Sequence, residues 1–167
     1  DVDWPLGIAG NNPLRVLKTA AGDVLKRKDF YLSMRRLKSL AKVSMGNVDA
    51  DINNTFDFIM DLSERKGLRS AFYFIADHTA GEVDGIYHLD NPWIRKLMRK
   101  IHKREHEIGL HASYNSFRNP DQIKKEFKRL ILVTEEENIY QKSWGGRQHY
   151  LRWEAPATWQ AWEEAGL

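Results

Sequence analysis

The sequence predicts an α/β protein built on parallel strands, and three observations predict it. Residues 71–75, Ala-Phe-Tyr-Phe-Ile, are an unbroken apolar run of strand length, as expected for a strand covered on both faces. Two Asn-Pro pairs, Asn91-Pro92 and Asn119-Pro120, each open a segment of helical periodicity with a capping residue and a proline at the first helical position. Helix-like and strand-like segments then alternate to the end of the chain, the order that parallel strands joined by crossovers require. Either an open sheet or a (β/α) barrel satisfies that order.

Residues 13–28 read as a helix, with Leu14, Leu17, Ala21 and Leu25 as its apolar stripe. Periodicity weakens over residues 29–50, which are expected to be a loop with short helical pieces. From Asp51 it returns: Ile52, Phe56, Ile59 and Ser63 share one face of a helix that stops at Gly67. After the strand at 71–75, a loop over residues 77–90 carries His78 and His88. The helix opened by Asn91 presents Ile94, Leu97, Met98 and Ile101 inward, and residues 107–110 form a short strand that ends at or beside His111. Ile123, Phe127, Leu130 and Ile131 give the next helix its face, a further strand lies within residues 143–151, and residues 157–164 close with a helix.

At 167 residues the chain is long enough for one buried core, and 42% apolar against 29% charged residues rules out disordered and collagen-like classes. No apolar run reaches the roughly 20 residues that cross a bilayer. With no cysteine, disulfides and thiolate sites are excluded, so a metal would be held by His, Asp, Glu or Asn. The sequence starts at Asp1 without a methionine, and an upstream strand, signal or anchor is expected. Lys18, Lys26, Arg27, Lys28, Arg35, Arg36, Lys38 and Lys42 face only Asp23 and Asp29 over the same stretch. Such a run is a solvated helical face or a surface for a polyanion, an acidic glycan or a nucleic acid.

In parallel architectures ligands bind where strands end, because the loops there converge. Applied here, that rule gathers His111 and Asn115, Asp77-His78, and Arg147-Gln148-His149-Tyr150, with Asp1-Val2-Asp3 joining them if a strand precedes. A carboxylate, an imidazole and one further donor suit a divalent ion with open positions, which activates water and polarises a carbonyl. In an extended Asp-x-Asp both carboxylates point the same way, so one can bind the ion while the other takes a proton.

These motifs resemble the polysaccharide deacetylases, carbohydrate esterase family 4 and its chitooligosaccharide deacetylase-like relatives. His-Glu-Ile-Gly-Leu-His-Ala-Ser-Tyr-Asn, residues 106–115, resembles the family's second motif, Asp1-Val2-Asp3 its first, and Arg147-Gln148-His149-Tyr150 a variant of its third. The likeness covers residues 1–5 and about 50–167. It implies a partial or distorted (β/α) barrel and a metal-dependent hydrolase, zinc being the expected ion, that removes acetyl from an N- or O-acetylated glycan. By the same resemblance Asp1 would be the general base, Asp3 and His111 metal ligands, and Asn115 the third ligand where the family has histidine. Arg147 would orient Asp1 and the Tyr150 amide would hold the oxyanion; apart from the resemblance, Trp4, beside the stretch without a family counterpart, and His149 are expected to contact substrate. His149 stands in place of the family's proline, and His106 would brace the strand rather than bind metal. Residues 1–167 would then be one incomplete catalytic domain with 6–50 as a helical insertion, and the acid histidine would lie beyond Leu167. The alternatives are a carbohydrate-binding descendant without turnover and, less favoured, a nucleic-acid binder.

Overall fold

The structure, a computed structural model, describes residues 1–167. Its elements in chain order are α1 (Pro13–Leu25), α2 (Phe30–Ser44), α3 (Phe56–Arg65), β1 (Ala71–Ile75), α4 (Pro92–Lys103), β2 (Glu107–Ala112), α5 (Pro120–Glu136), β3 (Gly146–Gln148) and α6 (Ala157–Ala165), with short 3-10 turns between them. The strands form one parallel sheet in the order β1-β2-β3, so the α/β class holds. No helix is long and apolar enough to cross a membrane. The chain divides into two compact units, residues 1–3 with 59–167 and residues 4–58.

In the sheet unit, β1 and β2 pair from Ala71 with Glu107 through Ile75 with His111, and β2 pairs with β3 from Leu110 with Gly146 through Ala112 with Gln148. Val2 adds a single parallel bridge to Phe74, its amide donating to the carbonyl of Tyr73 at 2.9 Å. The residues around Val2 therefore extend the sheet beyond β1. Phe74, Ile75, Ile108 and Leu110 are fully buried against the inward faces of α4 (Ile94, Met98, Ile101) and α5 (Ile123, Leu130, Val133). Asn91 and Asn119 cap α4 and α5, accepting from the amides of Trp93 and Gln122. His106 ties the start of β2 to its surroundings: Nδ1 accepts from the Ser70 amide at 3.0 Å and Nε2 lies 3.2 Å from Glu64.

One glycine sets the closeness of two strands. A Cβ on Gly146 would lie 2.4 Å from the Leu110 carbonyl and 2.8 Å from the Trp162 ring. Only a residue without a side chain lets β3 approach β2 there.

In the helical unit, α1 and α2 pack on each other, and residues 30–44 are a fifteen-residue helix rather than the loop expected from the sequence. Its fully buried positions are Ser33 and Ser39, whose hydroxyls donate to the carbonyls of Ala20 and Ala50, and with Arg36 they interrupt a face on which Leu32, Leu40 and Val43 are half-buried. The stripe expected to face inward on α1 faces solvent instead: Leu14 is 72% and Leu25 79% exposed. What α1 buries is Val16, Ala20 and Asp23, and Asp23 bonds Arg27 at 2.5 Å and Arg36 at 2.7 Å. A buried carboxylate needs such partners, and those two guanidiniums decide which face turns inward. The Asp51 carboxylate accepts from the amides of Gly7, Ile8 and Ala9, each at 2.8 Å, which fixes the loop before α1.

Candidate metal centre

Three ligand-type side chains converge where the parallel segments end. Asp3 follows the bridge at Val2, His111 is the penultimate residue of β2, and His149 directly follows β3. One ligand atom from each lies within 4.8 Å of the other two. His111 and His149 are 1% and 4% exposed, and their rings meet edge to face with centroids 4.8 Å apart.

Each imidazole is fixed by a bond on its far nitrogen. Nδ1 of His111 donates to the Arg147 carbonyl at 2.8 Å, across the register pair that β2 and β3 form. Nδ1 of His149 lies 2.9 Å from Oδ1 of Asp84, which also accepts from the Tyr114 amide at 2.7 Å, while Asp84 Oδ2 accepts from the Ala80 amide. Asp84 is fully buried and had no place in the sequence reading. Its signal there was an acid directly before a glycine in the 77–90 loop. Gly85 has φ +82°, and a Cβ on it would sit 2.5 Å from the Asp3 carbonyl, so that glycine lets the loop close on the ligand segment. Imidazoles oriented by a carbonyl and a carboxylate direct the other nitrogen, Nε2, at a cation.

The donor set fits a divalent ion. Nε2 of His111 and Oδ1 of Asp3 are 3.2 Å apart, and both are buried without a hydrogen-bond partner. With the His111 proton on Nδ1, both atoms are acceptors, and two buried lone pairs facing each other call for a positive charge between them. When that charge is a second proton on His111, the contact becomes an ion pair. Interaction with His111 accordingly holds the Asp3 carboxyl below its ordinary range, against the opposing effect of burial. Two imidazole nitrogens and a carboxylate oxygen suit a first-row divalent ion, zinc and iron among them.

Asp1 and Arg147 border the cluster. Asp1 Oδ2 lies 4.0 Å from His111 Nε2 and accepts from Arg147 at 3.4 Å, and the guanidinium sits over the Tyr73 ring, 5.6 Å from its centroid. Tyr150 has φ +56° and Leu151 φ +53°, and this left-handed kink lays the Tyr150 ring 4.8 Å from the His149 ring and 5.3 Å from Tyr114. Trp4 is half-exposed and belongs to the helical unit.

Two residues singled out in the sequence have other partners in this geometry than those expected. Asn115 is not among the converging groups: its Nδ2 donates to the Thr79 carbonyl, its Oδ1 accepts from Arg152, and its main-chain amide donates to Thr79 Oγ1. His149, expected to touch substrate, lies with Asp3 and His111 in a group whose ligand atoms could hold a metal. Asn115 lies past the end of β2, in the loop tied down by Thr79, whereas His149 leaves β3 beside His111. His78 packs against His88 with ring centroids 4.8 Å apart and lies outside the cluster, while Asp77 pairs with Lys125 at 2.7 Å and accepts from Gln122.

No protein-family model, curated protein or solved structure matches the chain.

Proposed function

We propose that this chain carries the metal centre of a carbohydrate deacetylase of the polysaccharide deacetylase type, its parallel sheet being part of a distorted (β/α) barrel. The observation that carries the reading is the division of labour between the two carboxylates. Asp3 faces His111 as a ligand, whereas Asp1 stands 4.0 Å from the same nitrogen and is held by Arg147. A bound divalent ion, zinc on this reading, supplies a water acidified toward neutral pH and polarises the acetyl carbonyl.

The chain's own groups do the rest. Asp1 accepts the proton of the attacking water, and Arg147 keeps its carboxylate aimed by a charge-assisted contact. Asp84 and the Arg147 carbonyl hold His149 and His111 in the tautomers that leave Nε2 free to bind. The main-chain amide of Tyr150 stabilises the oxygen that gains charge as the carbonyl is attacked. The bond between acetyl carbon and sugar nitrogen or oxygen breaks as the leaving atom takes up a proton, the equivalent of the one Asp1 received from water, giving acetate and a free amine or hydroxyl.

Acetate release from N-acetylated chitooligosaccharides and from O-acetylated xylan tests this. Activity is expected to vanish with a chelator, to return with zinc, and to be lost in Asp1→Asn while zinc uptake persists. Stoichiometric zinc binding with no acetate released from any acetylated glycan would sink the enzyme reading and leave a carbohydrate-binding protein.

A further inference from the structure

The helical unit contains two cavities, of about 220 Å³ and 610 Å³, and Arg15 and Thr19 line both. The smaller lies between α1, Arg36 of α2 and the preceding loop, and the larger continues from it over the exposed face of α1, so the two make one shallow trough. The smaller end is closed by the half-exposed indole of Trp4 and by Asn11 and Asn53. Both amides are held in place, Asn53 Nδ2 donating to the Trp4 carbonyl and Asn11 Nδ2 to that of Gly7, which leaves each side-chain oxygen turned to solvent or ligand. The Asp51 clamp on Gly7, Ile8 and Ala9 fixes the same loop.

Along α1, Arg15, Thr19, Gly22 and Lys26 recur at intervals of four, three and four residues and so share one face, with Lys18 beside it. From Arg15 to Lys26 that face runs roughly 16 Å. The chain from Arg15 to Lys28 holds five cations and one carboxylate, and that carboxylate, Asp23, is buried and spent on Arg27 and Arg36. Arg15, Lys18 and Lys26 have no carboxylate partner. Gly22, with open space where a Cβ would be, keeps the floor of the trough clear.

We propose that this trough binds an acidic polysaccharide, one sugar stacking on Trp4 and uronate carboxylates along the polymer pairing with Arg15, Lys18 and Lys26. An indole beside fixed amides and a guanidinium recognises the apolar face, hydroxyls and carboxylate of a uronic acid together. A single-stranded nucleic acid matches the charge but calls for successive aromatic platforms, and here Trp4 is followed by Leu25 and Ala21.

The test is calorimetric titration of the whole chain in EDTA with three probes: a hyaluronan octasaccharide, neutral N-acetylchitohexaose and a single-stranded oligonucleotide. The uronate-bearing probe is expected to bind about tenfold or more tighter than the neutral one, and to weaken as salt is raised. Trp4→Ala and the double variant Arg15→Gln/Lys26→Gln are each expected to lose at least about fivefold, with Arg15→Lys restoring part of it and melting temperatures unchanged. Equal affinity for the two glycans, tighter binding of the oligonucleotide, or well-folded variants that bind like the parent would each overturn the proposal. Because binding is read without metal, loss of zinc uptake or acetate release elsewhere bears on the deacetylase reading alone.

Discussion

Nε2 of His111 and Oδ1 of Asp3 face each other at 3.2 Å, buried, and neither has a hydrogen-bond partner. A fold that places two acceptors so is incomplete without a cation, since each unpaired buried group costs about 1–3 kcal/mol. On the proposed reading, a metal bound between them would couple ligation to stability.

Replacing His111 or His149 by alanine should lower zinc affinity by about 100-fold or more, measured by competition with a chromophoric chelator. Asn115→Ala should change it by less than about threefold. The contrast is the useful result, because a large loss at Asn115 with none at His149 would return the third ligand to the second motif.

Asp84 never meets the ion, yet it orients His149 from the far side. Asp84→Asn is expected to weaken zinc binding by about 10- to 100-fold. The chain's melting temperature without metal serves as the control, to separate weakened ligation from unfolding of the 77–90 loop.

Glu126 is a buried carboxylate that holds β2 just beyond the site, accepting from the Ser113 amide and hydroxyl and from Gln122. Glu126→Ala should destabilise the fold by about 1–3 kcal/mol in urea denaturation at pH 7, because buried donors of Ser113 lose their acceptor. Burial raises the Glu126 pKa above its ordinary value of 4.5, so its favourable contribution is complete below that pH and declines as pH rises through the folded value. Glu126→Gln should accordingly show a flatter stability profile than the parent above pH 4.5.

Asp77 shifts the other way. Its bond to Lys125 brings its carboxyl down to about 2 from 3.8, so that pair stabilises fully above pH 3.8 and is lost as pH falls toward 2. Lys125→Met should lower stability above pH 3.8 by a small amount, since the pair is exposed, and leave less of it to be lost as pH falls toward 2.

In the helical unit, Asp51→Ala removes the acceptor of four main-chain amides at once, those of Gly7, Ile8, Ala9 and Asn53, and is expected to cost about 2–4 kcal/mol, seen by circular dichroism on heating.

The parts of this fold that could be read in the sequence are those where burial and periodicity agree. Residues 71–75 and the helices capped by Asn91 and Asn119 have apolar inward faces, and their bounds lie close to those expected. The α1–α2 pair was obscure because its interface is Ser33, Val16, Ala20 and a charge-paired Asp23, while Leu14, Leu17 and Leu25 look outward. Hydrophobic patterning cannot find a face defined by an ion pair. At the site, His111 was legible from its place at a strand end. The same rule pointed to His149, but motif likeness turned attention to Asn115, whose loop is fixed by Thr79 and Arg152 in ways no local pattern records.

Gly146 sits two pairs before the end of the β2–β3 ladder and three residues before His149. A single methyl group there would push β3 away from Leu110 and carry His149 with it. The spacing of His149 from His111 and Asp3 is thus calibrated by an atom that is missing, and a substitution at that backbone position would change the span of the cluster without exchanging any of its side chains.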